Sequence, residues 1–135
     1  MKEIIEIDSN PQRLNFPFIH QYISNTYWAK GRSEATMQLC IDHSINYGLY
    51  LNDVQIAYAR IVTDMGQFAY LMDVFVDEKY RKKGYAKILM DHIIKDEHLK
   101  EVKIWRLATT DAHSLYQKYG FKQLAHPEKM MELMR

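Results

Sequence analysis

One stretch constrains this chain more than any other. Between Gln67 and Lys87 a nearly continuous apolar run ending in Leu71-Met72-Asp73-Val74-Phe75-Val76 passes through the charged segment Asp77-Glu78-Lys79-Tyr80-Arg81-Lys82-Lys83 and then Gly84. Beyond it Tyr85, Ile88, Leu89, His92 and Ile93 recur at i, i+3, i+4, i+7 and i+8. The run predicts a strand buried on both faces and central in a sheet, and the second spacing predicts an amphipathic helix. A strand feeding a helix through so short a loop calls for a layered sheet-and-helix architecture. The junction also has a chemistry of its own. The first N–H groups of a helix have no intrahelical partner and carry the positive end of the macrodipole, so a helix start beside Arg81, Lys82 and Lys83 suits an anion. Gly84 and the small Ala86 let a ligand approach the main chain. The segment is neither a P-loop nor a dinucleotide loop, because the glycines and the Lys-Ser/Thr pair those need are absent.

The flanking sequence supplies the other layers. Residues 2–8 form a β-branched run closed by Ser9-Asn10-Pro11, read as a first strand. Pro17 suits a first helical turn and is followed by Phe18, Ile19, Tyr22 and Ile23 at helical spacing; Ser33 with Thr36 opens a second helix bearing Met37, Cys40, Ile41 and Ile45. A hairpin follows, turning at Asn52-Asp53, and Asp64-Met65-Gly66 makes the next turn. After the central helix, Val102, Ile104 and Leu107 alternate as a strand, Asp111 is a candidate cap for a short helix carrying Leu115, Tyr116 and Tyr119, and Gly120 ends it. Residues 121–124 and 130–134 read as two last strands, with Met130, Met131 and Met134 as core filler. The expected fold is a mixed α/β (α+β) domain over 1–135. Its mostly antiparallel sheet has about seven strands and helices on both faces, in the order β-α-α-β-β-β-α-β-α-β-β.

Composition narrows the function classes. A chain of 135 residues fits one domain, and 18 Lys+Arg against 17 Asp+Glu leave a net charge of +1, which gives no global field for nucleic acid or a membrane surface. Cys40 is the single cysteine and has no partner for an intramolecular disulfide; it reads as core. The six histidines fall in no metal-ligand spacing, so no metal site is expected. Met1-Lys2-Glu3-Ile4-Ile5-Glu6 lacks the apolar region of a signal peptide, and no apolar run is long enough to span a bilayer, so a cytoplasmic protein is expected.

Two motifs in order carry a resemblance. Arg81-x-x-Gly84-x-Ala86 between a strand and a helix, followed later by Leu115-Tyr116-Gln117-Lys118-Tyr119-Gly120-Phe121, resembles the GNAT superfamily of acyl-CoA-dependent N-acyltransferases. The resemblance implies acetyl-CoA as donor and a small-molecule or peptide amine as acceptor, and it is compatible with a homodimer. It implies that main-chain groups of Val74, Phe75 and Val76 pair with the pantetheine amides where the strand splays. Backbone N–H groups of Lys82, Lys83, Gly84, Tyr85, Ala86 and Lys87, with Arg81 beside them, would cradle the pyrophosphate. Tyr116 falls where a hydroxyl protonates the departing thiolate. Asp73 is a candidate base, and Tyr27, Trp28, Lys30 and Arg32 are candidates for the acceptor pocket. Thr109 stands where many members carry Asn, with Asp111 and His113 nearby. Two rivals share parts of this pattern: a CoA-binding module without chemistry, and a small RNA-binding domain using Lys79, Arg81, Lys82, Lys83 and Lys87, against which the near-neutral charge argues.

Overall fold

Short polar side chains set where the helices begin. In the computed structural model, which describes residues 2–135, Asn15 accepts the N–H of Phe18 at the start of α1 (Phe16–Ile23), and Ser33 accepts that of Thr36 at the start of α2 (Glu34–Asp42). Each cap satisfies a donor that the helix itself cannot. Between β2 (Ile45–Leu51) and β3 (Val54–Thr63), Asn52 and Asp53 both take positive φ, the geometry of a two-residue hairpin turn whose twist matches the strands. The turn before β4 (Phe68–Val76) is closed by Asp64, whose Oδ1 accepts from Gly66, Gln67 and Phe68 N–H. The remaining elements are β1 (Ile5–Asp8), α3 (Tyr85–Ile94), β5 (Ile104–Arg106) and α4 (His113–Gln117).

The sheet runs β1-β2-β3-β4-β5, antiparallel throughout except for the parallel pair β4 and β5. On one face Leu89, Met90 and Ile93 of α3 pack with Leu49, Ala59, Ile61 and Leu71; on the other, Ile19, Ile23, Met37 and Ile41 of α1 and α2 pack on Tyr58 and Phe75. Each such aliphatic side chain contributes roughly 1.5–3 kcal/mol by leaving water.

Four expectations need correction. The middle of the sheet is β3, not β4. The sheet has five strands among the described residues, not about seven. Residues 121–124 and 130–134 form no strand, and Met131, Leu133 and Met134 are exposed, not core filler. A short run with apolar residues becomes a strand only where a ladder partner stands alongside, and three-residue β5 offers little edge. Finally, Asp111 does not cap α4: Thr109 Oγ1 accepts the Ala112 N–H there. Among the described residues no helix is long and apolar enough to cross a membrane.

Two irregularities interrupt β4. Phe75 lies opposite Tyr58 and Met72 opposite Arg60, so Asp73 and Val74 together oppose Ala59 in a bulge, with Asp73 at φ 54°. The extra residue exchanges the strand's faces. Ala69 and Leu71 face α3, whereas Phe75, beyond the bulge, sits with α1 and α2 and Val74 and Val76 pack on the α3 side. The second irregularity is that β5 pairs with β4 only at Phe68, Ala69 and Tyr70. Residues 71–76 therefore have no strand beside them on that edge.

Candidate active site

Asp73 is the buried hub of the site. Its bulged backbone turns the carboxylate toward the α1–α2 side, where Trp28 Nε1 donates to Oδ1 at 3.0 Å while Arg32 Nη1 and Arg60 Nε donate to Oδ2 at 2.7 and 2.6 Å. Burial pushes the carboxyl pKa up, but the hydrogen bonds from Arg32 and Arg60, the charge of Arg60 and the Trp28 N–H outweigh it, and the net direction is down. Asp73 stays ionised with both oxygens taken. That arrangement suits holding the 27–32 loop against β4 better than accepting a proton.

The strand-to-helix junction leaves its main chain open. Lys82 and Gly84 both adopt left-handed conformations, at φ 64° and 84°, and no side chain caps α3. The next backbone bond is Ile88 N–H to Gly84 O, so the N–H groups of residues 82–87 point to no partner within the described chain. A Cβ placed on Gly84 would meet nothing within 4 Å. Arg81 braces the loop from below: its Nε donates to Val76 O at 3.1 Å and its guanidinium to the Tyr22 hydroxyl, while the Tyr22 ring stacks on Phe75 at 4.0 Å. Of the other basic side chains, Lys83 lies over the Tyr80 ring and Lys87 pairs with Asp91 at 3.1 Å. Tyr85 is in the core, leaving only its main chain for a ligand.

Tyr116 faces this opening from α4. It is 8% exposed and packs edge-on against Phe121, yet its hydroxyl has no protein partner among the described residues. Burial, with a smaller contribution from the charge of Asp111, pushes its pKa up to about 12, so the phenol is protonated at neutral pH. Tyr119 is spent elsewhere, its one hydroxyl proton shared between Asp91 Oδ1 at 2.7 Å and Lys87 O at 3.1 Å.

Two adjoining cavities meet at Tyr116. A cleft of about 940 Å³ extends from Tyr22 and Arg81 past Val74, Phe75 and Val76 to Ala86 and Tyr116. A second cavity of about 420 Å³ shares Tyr27, Trp28, Val74, Asp111 and Tyr116 with it and adds Arg32, Met72 and Asp73. The Tyr27 hydroxyl bonds to that of Thr110, joining the α1–α2 loop to the β5–α4 loop across the boundary. Lys30 lines neither space; it is exposed in the turn before Gly31. Sequence reasoning passed over Tyr22, Arg60 and Thr110. An aromatic on a helix stripe, a polar residue in a strand and a loop threonine give no local signal of a site.

Comparison with known proteins gives the same outline. The family model for an acetyltransferase (GNAT) domain matches residues 42–123. An uncharacterized N-acetyltransferase of Porphyra purpurea is 28% identical over 119 residues, 84% of this chain and 68% of its own length. A solved GNAT-family protein from Xanthomonas campestris pv. campestris superposes with a TM-score of 0.94 at 38% identity, covering 98% of this chain and 94% of that one. A protein of unknown function from meticillin-resistant Staphylococcus aureus shares the fold at TM-score 0.75 and 18% identity, with 98% and 99% of the two chains covered.

Proposed function

Because the chain belongs to the GNAT acetyltransferase family and is an acyltransferase, we propose that it moves the acetyl group of acetyl-CoA onto the amine of an acceptor by direct attack within a ternary complex. The observation that carries this is the continuity of three unfilled features along one cleft. They are the open edge of β4 at residues 74–76, the unpartnered N–H groups at the start of α3, where Ala86 lines the cleft, and the free hydroxyl of Tyr116.

The residues present suit the donor. Acetyl-CoA supplies a thioester carbonyl open to attack by an amine. The open edge of β4 offers main-chain groups to an extended amide-bearing arm, as a sheet edge receives an added strand. The N–H groups of residues 82–87 offer a phosphate cradle, and the empty space at Gly84 lets oxygens reach it. Arg81 acts here as a brace and keeps the loop against β4.

At the junction of the cavities, main-chain N–H groups near Val74 meet the negative charge that develops on the acetyl oxygen. The amine enters without its proton, its nitrogen forms the C–N bond, and the C–S bond breaks. Tyr116 gives its hydroxyl proton to the departing sulfur and recovers one from the acylated nitrogen, so protons balance. Asp73 takes no part in proton transfer; it positions Trp28 and Arg32 on the acceptor side. The test is acetyl-CoA turnover across a panel of amines, reading free CoA. Amine-dependent CoA release is the expected result; tight acetyl-CoA binding with no release would make the chain a CoA-binding module.

A further inference from the structure

The smaller cavity has a charge pattern that the transfer reaction does not itself require. Asp73 is shared by two guanidinium groups, Arg32 and Arg60, with side chains 0%, 15% and 6% exposed respectively. Guanidinium groups stay charged at any accessible pH, so this buried trio keeps one positive charge in excess. Arg60 places its remaining contact on Ser44 Oγ at 3.1 Å, away from the cavity. Of the two arginines Arg32 lines the cavity, beside Asp73, and only its Nη1 is engaged, with Asp73 and weakly with Met37 Sδ. Its Nε and Nη2 donors are left over. An excess buried positive charge with spare donors seeks an anion.

The opposite charge stands at the other end. Asp111 lines both cavities, close enough to Tyr116 for its charge to act on the phenol, and it makes no ion pair or side-chain hydrogen bond among the described residues. The same cavity is lined by Tyr27, Trp28, Tyr70, Met72 and Leu107, side chains with large apolar bodies. The volume, about 420 Å³, is that of a small-molecule site.

We propose that the acceptor is a small amino carboxylate with an apolar body, its uncharged amino group beside Tyr116 with an N–H donated to Asp111, and its carboxylate held by the spare donors of Arg32. This rests on the acetyl-transfer reading and specifies its acceptor. A neutral alkylamine leaves the Arg32 donors desolvated and unpaired, and a diamine meets like charge there, so both are disfavoured. A long peptide would need a cavity open past Arg32, whereas Arg32 is tied to the buried Asp73.

The experiment compares phenylalanine and leucine with their amides and with the matching amines that lack the carboxyl group, reading CoA release. The amides are the stringent control, because their amino groups lose a proton more easily and would react faster if the carboxylate made no contact. The expected result is kcat/KM at least about tenfold higher for the acids than for the amides. In Arg32→Gln that ratio falls toward one with acetyl-CoA Kd little changed; in Asp111→Asn the acceptor KM rises for acids and amides alike. Amides or plain amines used as well as the acids, or a ratio unmoved in folded Arg32→Gln, overturn the proposal while leaving acetyl transfer intact. If Arg32→Gln fails to fold, the acid-to-amide ratio of the parent protein still decides. CoA release with none of the amines overturns the acetyl-transfer reading as well.

Discussion

At the scale of single residues, Tyr116 and Asp73 show how burial assigns roles. The Tyr116 ring is buried while its hydroxyl, protonated and without a protein partner, opens on the cleft, so Tyr116→Phe removes the hydroxyl and little packing. The expected loss is roughly 10²–10⁴ in kcat with acetyl-CoA KM nearly unchanged, measured where chemistry limits turnover. A kcat within about twofold of the parent makes Tyr116 a packing residue. Asp73 is the reverse case, a charge fully partnered. Its pKa is lowered in the folded protein, so the stability it contributes is present above the unfolded value of about 3.9 and is lost as pH falls through the lower folded value. Asp73→Asn leaves Arg32 and Arg60 without a counter-charge and is expected to cost about 3–5 kcal/mol at pH 7. Urea unfolding at pH 7 and again well below about pH 4 should show the gap between parent and variant closing in acid. The sequence offered Asp73 as a base because a lone carboxylate in an apolar run looks free. Its three donors come from residues far along the chain, at 28, 32 and 60, and no local pattern announces them.

At the scale of elements, the start of α3 and the α1–α2 loop make separable predictions. Gly84 sits at φ 84° beside open space, so Gly84→Val both strains the backbone, by roughly 1–2 kcal/mol, and fills the space a phosphate would use. A marked rise in acetyl-CoA KM is expected, with a smaller one for Lys82→Ala; equal and mild effects would mean that charge, not main-chain access, binds the donor. Trp28→Phe keeps a ring but removes the N–H that Asp73 accepts. The acceptor KM should rise with acetyl-CoA KM unchanged, whereas a joint loss of both with Tm would mark Trp28 as a packing residue. Elements specified by neighbouring residues were legible: the Ser33 cap, the Asn52-Asp53 turn and the strand–loop–helix junction each follow from side chains a few positions apart. The β4 bulge was not. Alternation along residues 67–76 is masked by apolar residues on both phases, so the point where the strand exchanges faces leaves no trace in composition.

At the scale of the whole molecule, the sheet is held together on one side of β4 and comes apart on the other. Topology as far as α4 follows from local signals, but strand number depends on whether an edge is within reach. That is why residues 121–124 and 130–134 mislead: their apolar residues suit a strand, but no strand edge stands beside them. The open edge has a consequence in time as well as space. Backbone amides of β3, and of β2 where β1 flanks it at residues 48–51, are locked between neighbours and exchange with deuterated solvent only when the sheet opens, whereas amides of residues 71–76 that point away from β3 exchange from the folded state. Adding acetyl-CoA should slow deuterium uptake in peptides spanning residues 71–76 and 82–87 and leave those of β2 untouched, a pattern read by mass spectrometry without any acceptor. Unchanged uptake across residues 71–76 with saturating acetyl-CoA would mean the donor does not lie along this edge. Until a donor arrives, one strand thus keeps two clocks, a slow one on the side of β3 and a fast one facing the cleft.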